Sequence, residues 1–320
     1  MRKFRDKTTL KIIRLTESKI AGYYKEAIQE NKNLLLEVYE KYATDGVLSI
    51  QDMQKYNRLI SLNDELTSTM KNLYRQAGKD IQSSVTSSLK ANYYETAKAF
   101  EEELLNLGVD MKAVNFVKIN TRKITEYIQA PISGRTLKDT INYNYLQSLD
   151  KIKRDVTNGI IRGLSVDEVT KTLSESLNIS FNNARRIVRT ETLRQQSNGR
   201  LAAIDELENI DGVKVVKRWL AALDDRVRDS HAEMMNVKAD IDGLFFPNGV
   251  PCEAPRLTGV AEEDINCRCD IYTEIEVDSN KQKIYTRNSD EYKKAVANYP
   301  KMTTEEYVKS KGDKLPKGVL

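Results

Sequence analysis

The chain is predicted to be α+β, with a mainly helical N-terminal region of long amphipathic helices followed by a small mixed α+β C-terminal module. Three observations carry this. Glycine and proline number only 14 and 6 among 320 residues, below the ordinary usage of about 7% and 5%, so little of the backbone is barred from helix. Apolar residues recur at three- and four-residue steps through most of the first two thirds of the chain, and after Gly212 the period switches to two.

From Thr8 to about Glu103 the pattern is helical. Leu34, Leu35, Val38 and Tyr42 form one stripe, and Leu59, Leu62, Leu66, Met70, Leu73 and Ala77 another. Breaks fall at Asp45–Ser49 and at Gly108-Val109-Asp110, with the strongest at Pro131-Ile-Ser-Gly134. Asn142–Asn158 reads as a further helix, and Ser165-Val-Asp-Glu168 is a capping box that opens another. The sixteen tyrosines sit mostly at helical spacing, which assigns them to interhelical packing rather than to stacking on bases.

The helix expected from about Asn182 to Glu208 changes character halfway. Ala184, Ile187 and Val188 make an ordinary core stripe, but its continuation lands on Glu191, Gln195 and Asn198 before apolar spacing resumes at Leu201, Ala202 and Ile204. A buried glutamate needs a cation or a polar network. Arg189 and Glu191 are therefore expected to lock this helix onto the C-terminal module, with Asp225, Arg226, Arg228 and His231 as partners.

Val213–Ala221 reads as a strand with Val213, Val215 and Trp219 on one face, and Asp224-Asp225 turns the chain. Asp229-Ser230 caps a short helix from His231 to about Asn236. A loop punctuated by Gly243, Pro247, Gly249, Pro251, Pro255 and Gly259 follows. Cys267–Glu276 alternates cleanly, with Cys267, Cys269, Ile271, Thr273 and Ile275 on one face, and predicts a half-buried strand. These elements divide the chain into a helical N-terminal domain (1–130), a helical region ending in the polar-striped helix (131–210), the α+β module (211–277) and a basic C-terminal tail (278–320).

Composition excludes several classes. The longest apolar run, Trp219–Leu223, is far short of the roughly 20 residues of a membrane-spanning helix, so no membrane association is expected. The basic N-terminus lacks the unbroken apolar segment of an export signal, and three cysteines cannot build a disulfide framework. The net charge of +4 is small, but its distribution is uneven: residues 1–25 carry +6, residues 281–320 carry +5, and residues 251–280 carry −6, with Arg256 and Arg268 as their only cations. The basic ends are the expected contacts for nucleic-acid phosphates.

The one histidine and all three cysteines fall within 39 residues, as His231-x20-Cys252-x14-Cys267-x-Cys269. Two cysteines two apart on a strand share a face, so His231, Cys252, Cys267 and Cys269 are the candidate ligands of a zinc ion. Core packing explains the same cysteines without a metal. His231-Ala-Glu233 followed by Pro251-Cys252 imitates a zinc-deaminase signature but lacks its second cysteine three residues on. A nuclease centre on His231 with Asp225 and Asp229 is the remaining enzymatic reading. No phosphate-binding glycine loop and no nucleophile elbow is present.

Three stretches together resemble the phage head-morphogenesis, or minor head protein, family that includes the F protein of phage Mu. They are Ala184–Thr192 with Arg189-Thr190-Glu191 at its centre, Trp219–His231 with Asp225, Arg226 and Arg228 and Gly243 beyond, and Ile265-Asn266-Cys267-Arg268-Cys269. The resemblance covers residues 160–277. It implies a minor capsid protein that works inside the virion head at the portal vertex and is made in the host cytoplasm. The implied partners are the portal protein, packaged double-stranded DNA and other head proteins, and neither an enzymatic activity nor an organic cofactor comes with it. Many members carry Cys-x-x-Cys where this chain has Arg228–His231 and His-Pro-Asn-Cys-Arg-Cys where it has Glu263–Cys269. Those members resemble zinc binders, and this chain lacks two of their ligands. The alternatives are a phage-encoded nuclease or toxin-like effector that uses His231, and a DNA-binding assembly factor that never enters the particle.

Overall fold

A computed structural model describes residues 2–3 and 7–320. Of the basic N-terminal residues, Arg5 lies outside the described residues. The long helices are α1 (Lys7–Tyr42), α3 (Arg58–Asn106), α5 (Leu137–Ile161) and α6 (Val166–Glu208), with α2 (Ile50–Gln54) and α4 (Thr121–Gln129) between them. Three strands, β1 (Arg2–Lys3), β2 (Val213–Leu220) and β3 (Asp270–Val277), form one antiparallel sheet in the order β1-β3-β2. The mainly helical α+β architecture is the one expected from the sequence. Two single-turn helices, α7 (Asp229–Ala232) and α8 (Ala261–Asp264), lie between β2 and β3, and α9 (Asp290–Asn298) and α10 (Thr304–Ser310) follow the sheet.

The chain forms two compact units, each discontinuous in sequence, because α1, α3 and α6 each contribute to both. One consists of residues 14–83 and 137–188. Its core is the predicted stripe: Leu35, Leu66 and Met70 are fully buried, together with Ile152, Leu173 and Leu177. Tyrosine hydroxyls tie its helices together. Tyr74 Oη lies 2.9 Å from Ser148 Oγ and 2.8 Å from Ser180 Oγ, and Tyr24 Oη is also 2.8 Å from Ser180 Oγ. Residues 182–208 were expected as a separate helix, but α6 runs unbroken from Val166, because polar positions such as Ser180 are satisfied by these tyrosines instead of ending the helix. The capping box is formed, with Glu168 Oε2 accepting from Ser165 N at 2.9 Å.

The other unit consists of residues 1–13, 84–136 and 189–320. The second halves of α3 and α6 meet closely here: a Cβ on Gly199 would lie 2.3 Å from the Leu89 carbonyl oxygen. Residues 278–320, read as a basic tail, carry α9 and α10, capped by Ser289 and by a Thr303–Glu306 capping box. Glu101 on α3 accepts from Tyr307 Oη at 2.6 Å and Tyr299 Oη at 3.0 Å. Asp313 accepts from Lys90 Nζ at 2.8 Å and Tyr94 Oη at 2.9 Å, and Val319 packs with Ile12 and Ala91.

Strand β3 corrects the expected half-buried alternation. Asp270, Ile271, Tyr272 and Thr273 are all buried, on both faces. The cause is α6, whose fully buried Arg200 pairs with Asp270 while Gln196 Nε2 donates to the same carboxylate at 3.4 Å. Cys267 and Cys269 precede the strand instead of lying in it.

Candidate functional site: a buried histidine–cysteine cluster

Strand β2 carries Trp219 to the centre of the module, fully buried, and the chain then turns at Asp224 through a bond from Val227 N to the Asp224 carbonyl. Helix α7 begins at Asp229, earlier than expected, and is a single turn. It places His231 2% exposed, with its ring edge-on to Trp219 at 5.4 Å. Phe245 packs on Trp219 at the same centroid distance of 5.4 Å.

After α8, Asn266 adopts the left-handed conformation (φ 59°), which asparagine tolerates better than most residues. The resulting turn brings Cys267 and Cys269 against the imidazole, each Sγ lying 3.5 Å from His231 Nδ1. The other ring nitrogen, Nε2, is 2.8 Å from Glu263 Oε2, and Asn248 Nδ2 donates to Glu263 Oε1 at 3.3 Å. With the carboxylate at Nε2, Nδ1 is the ring nitrogen that faces the two sulfurs.

The electrostatics follow from this packing. The Cys269 thiol is pulled down to about 4, first by its hydrogen bond with Cys267 and then by His231, while the same bond and burial push Cys267 up. Burial draws His231 downward, but Cys269 and Glu263 outweigh it and hold the imidazole above its ordinary value. Cys252 is pushed up to about 12 by burial.

The fit to a metal is testable on distances. The ligand atoms of His231, Cys267 and Cys269 all lie within 4.8 Å of one another. A tetrahedral zinc with S and N at about 2.3 and 2.05 Å has N···S edges of about 3.6 Å, close to the two observed at 3.5 Å. The three residues fit a zinc ion, and Glu263 stands where a carboxylate orients a metal-bound histidine through its second nitrogen. The expected four-ligand set is corrected in one member. Cys252 does not belong to the group among the described residues; its backbone is paired in both directions with Phe245, at 2.8 and 2.9 Å.

Residues beyond those expected carry contacts between helix α6 and the module. Glu191 finds its cation on its own helix, in Arg194 at 3.6 Å, not in Arg226, Arg228 or His231. Arg189, Asp225 and Arg226 are exposed, with Arg226 3.9 Å from Asp224. Arg228 Nη2 donates to the Ile265 carbonyl at 2.6 Å, and Gly243 closes a turn in the left-handed region (φ +77°) with its N–H on the Asp240 carbonyl at 3.1 Å. The contacts that join α6 to the module run from Thr190 Oγ1, which accepts from Asn266 N at 3.4 Å, from Ser197 Oγ to the Pro255 carbonyl at 2.8 Å, and from Arg200 to Asp270. Fully buried Arg256 completes them by donating to Ser197 Oγ at 2.8 Å and to the Cys269 carbonyl. Arg268 pairs with Asp224 through both guanidinium nitrogens. Glu263, Arg256 and Asp270 were not singled out from sequence. The signal for Arg256 was present, since it and Arg268 are the two cations in the acidic stretch 251–280, and both anchor the knuckle.

These features define a mainly helical protein whose small β module is closed around a buried His–Cys–Cys cluster and keyed to a long helix by buried arginines. Residues 150–272 match the family described as Phage Mu protein F like protein. The minor head protein GP7 of Bacillus phage SPP1 is 26% identical over 267 residues, which are 82% of this chain and 83% of GP7. Both matches support a relation of this chain to the phage minor head protein family. It is also 30% identical over 266 residues to a protein of Enterococcus faecalis named NAD(+)–arginine ADP-ribosyltransferase EFV, of which it spans about half the length, 51%. No solved structure matches the chain. Among the described residues, no helix is long and apolar enough to cross a membrane.

Proposed function

We propose that the protein is a structural, non-enzymatic component of a tailed-phage head, acting at the portal vertex inside the particle during assembly, DNA packaging or genome delivery. The observation that carries this reading is the match to a minor head protein that is co-extensive, covering over four fifths of both chains. The site supports it. His231, Cys267, Cys269 and Glu263 are each 5% exposed or less and bonded to one another, an arrangement that braces a fold and leaves no face open to a substrate. The activity in the name of the E. faecalis relative belongs to a longer chain, of which the match covers 51%, and is not carried over.

The cluster is where a zinc ion would be held, through His231 Nδ1 and the two sulfurs, with one position left for a fourth group. Its contribution would be a cross-link between α7 and the entry to β3, of the kind that stabilises small modules with little core of their own. No reaction is attributed to it. Co-expression with the portal protein of the same phage, followed by size exclusion with light scattering, tests the docking: one complex of defined stoichiometry is expected, and separate elution of the two proteins at micromolar concentration would contradict it.

A further inference from the structure

The unit built from residues 14–83 and 137–188 carries a second feature that the head-family motifs do not touch. Between α3 and the first turns of α5 lies an open groove of about 380 Å³, lined by Lys71, Arg75 and Lys138 together with Gln82, Asn142 and Tyr145. No carboxylate lines it. Among the described residues none of the three cations is ion-paired, and all three are exposed. Lys71 and Arg75 are one helical turn apart, so their charges stand side by side on one face of α3. Lys138 is in the first turn of α5, where the positive end of the helix adds to its field.

The walls are fixed. Tyr74 and Tyr145 meet edge to face at 5.3 Å, and the Tyr74 hydroxyl is tied to α5 and α6 through Ser148 and Ser180. Gly78, also in the wall, would accept a Cβ in ordinary contact with Ile141 at 3.8 Å, so packing does not require a glycine at this position in the middle of a helix. Its missing side chain leaves the groove wider.

The basic ends of the chain offer less than their net charge suggests. Lys281 is paired with Asp211 at 2.9 Å, Lys309 with Glu305 at 2.9 Å, Lys311 with Glu101 at 3.3 Å and Lys19 with Asp80 at 3.1 Å. The groove differs in gathering three unpaired cations with no carboxylate in its lining.

We propose that the Lys71–Arg75–Lys138 groove is a phosphate-backbone contact for duplex DNA. The proposal rests on the head-protein reading for the identity of the polyanion, while the chemistry of the groove, three free cations flanked by amide donors and no acid, is that of a phosphodiester site. Contacts of this kind position a strand without reading its bases.

The test uses the full chain and its Lys71→Gln/Arg75→Gln/Lys138→Gln variant, with binding to a 30-base-pair duplex followed by fluorescence anisotropy over a salt series. The substituted side chains are exposed, and equal melting temperatures verify the fold. The variant is expected to bind at least tenfold more weakly at 100 mM salt, with the slope of log affinity against log salt smaller by about 2 to 3. A Lys281→Gln/Lys309→Gln variant, which removes paired charges, is expected to bind like the parent. Equal affinity and slope for the triple variant and the parent would overturn the proposal, as would the absence of duplex binding by the parent. Tighter binding of inorganic tripolyphosphate than of duplex, lost in the same variant, would also overturn it in favour of a small-phosphate site. Incorporation into heads is scored separately, so a chain that enters the particle but fails the DNA test refutes the groove alone.

Discussion

His231 Nε2 and Glu263 Oε2 form a buried hydrogen bond of 2.8 Å that aims the opposite face of the imidazole at Cys267 and Cys269. Glu263 is thus a positioning residue. Replacing it by glutamine keeps the size of the side chain but removes the acceptor charge, and Glu263→Gln is expected to weaken zinc retention about 10- to 100-fold. Competition with a chelator, read by native mass spectrometry, measures it. In the same assay Cys267→Ser and Cys269→Ser are expected to lose the metal and Cys252→Ser to keep one equivalent, and retention by all three serine variants would show that the cluster is only packing.

Glu191 provides a test of charge in the opposite sense. Burial pushes its carboxyl above the ordinary 4.5, and the nearby Arg194 only partly offsets this. In the interval between the ordinary value and the raised one, the folded state holds a proton that the unfolded state has released, so stability falls as pH rises through that interval. Arg194 keeps the Ala130 carbonyl at 2.7 Å and the Pro131 carbonyl at 3.4 Å without it. Glu191→Gln is therefore expected to melt at or above the parent temperature at pH 7, with the difference opening from about pH 4.5 upward. A variant several degrees less stable at pH 7 would show that the ionised pair is required.

Asp313 titrates the other way. Burial alone would raise its carboxyl, but Lys90, the Lys314 amide and Tyr94 overcome that and hold it below the ordinary 3.8. Its contribution is present above about pH 4 and lost as pH falls through the lowered value. Asp313→Asn is expected to cost about 1–2 kcal/mol at pH 7, with the gap to the parent closing in acid. Limited proteolysis should then cut the segment after α10 first, and an unchanged cleavage rate would sever this link between the C-terminal segment and α3.

Gly199→Ala tests the helix crossing. A methyl group there would sit 2.3 Å from the Leu89 carbonyl oxygen and 3.0 Å from Tyr93 N, so α3 and α6 must separate. The expected cost is about 1–3 kcal/mol, a fall of several degrees in melting temperature. Stabilisation, the ordinary result of glycine to alanine in a helix, would contradict the close approach.

Much of this was legible in the sequence because it is local. The stripe Leu62–Leu66–Met70–Leu73, the Ser165–Glu168 box and the period-two run of β2 depend on neighbours a few residues away, and each has its expected form. What was not legible depends on partners far along the chain. The polar line through Glu191, Gln195 and Asn198 correctly announced a buried polar network, but its cation, Arg194, was one turn away, and Arg200, which clasps the module through Asp270, had no local pattern. Cys252 looked like a fourth ligand because spacing alone cannot show which sulfurs the fold brings to the imidazole. The helices of residues 278–320 were hidden because Glu101 and Asp313 make their contacts across roughly two hundred residues.

The central claim is that the chain is built into the phage head. The most direct measurement is quantitative mass spectrometry of particles purified from the encoding phage, comparing DNA-filled heads with heads that have ejected their genome, with the portal protein as the internal standard. The account predicts the protein in filled heads at a low, fixed ratio to portal subunits. Its absence from both filled and emptied heads would contradict the account.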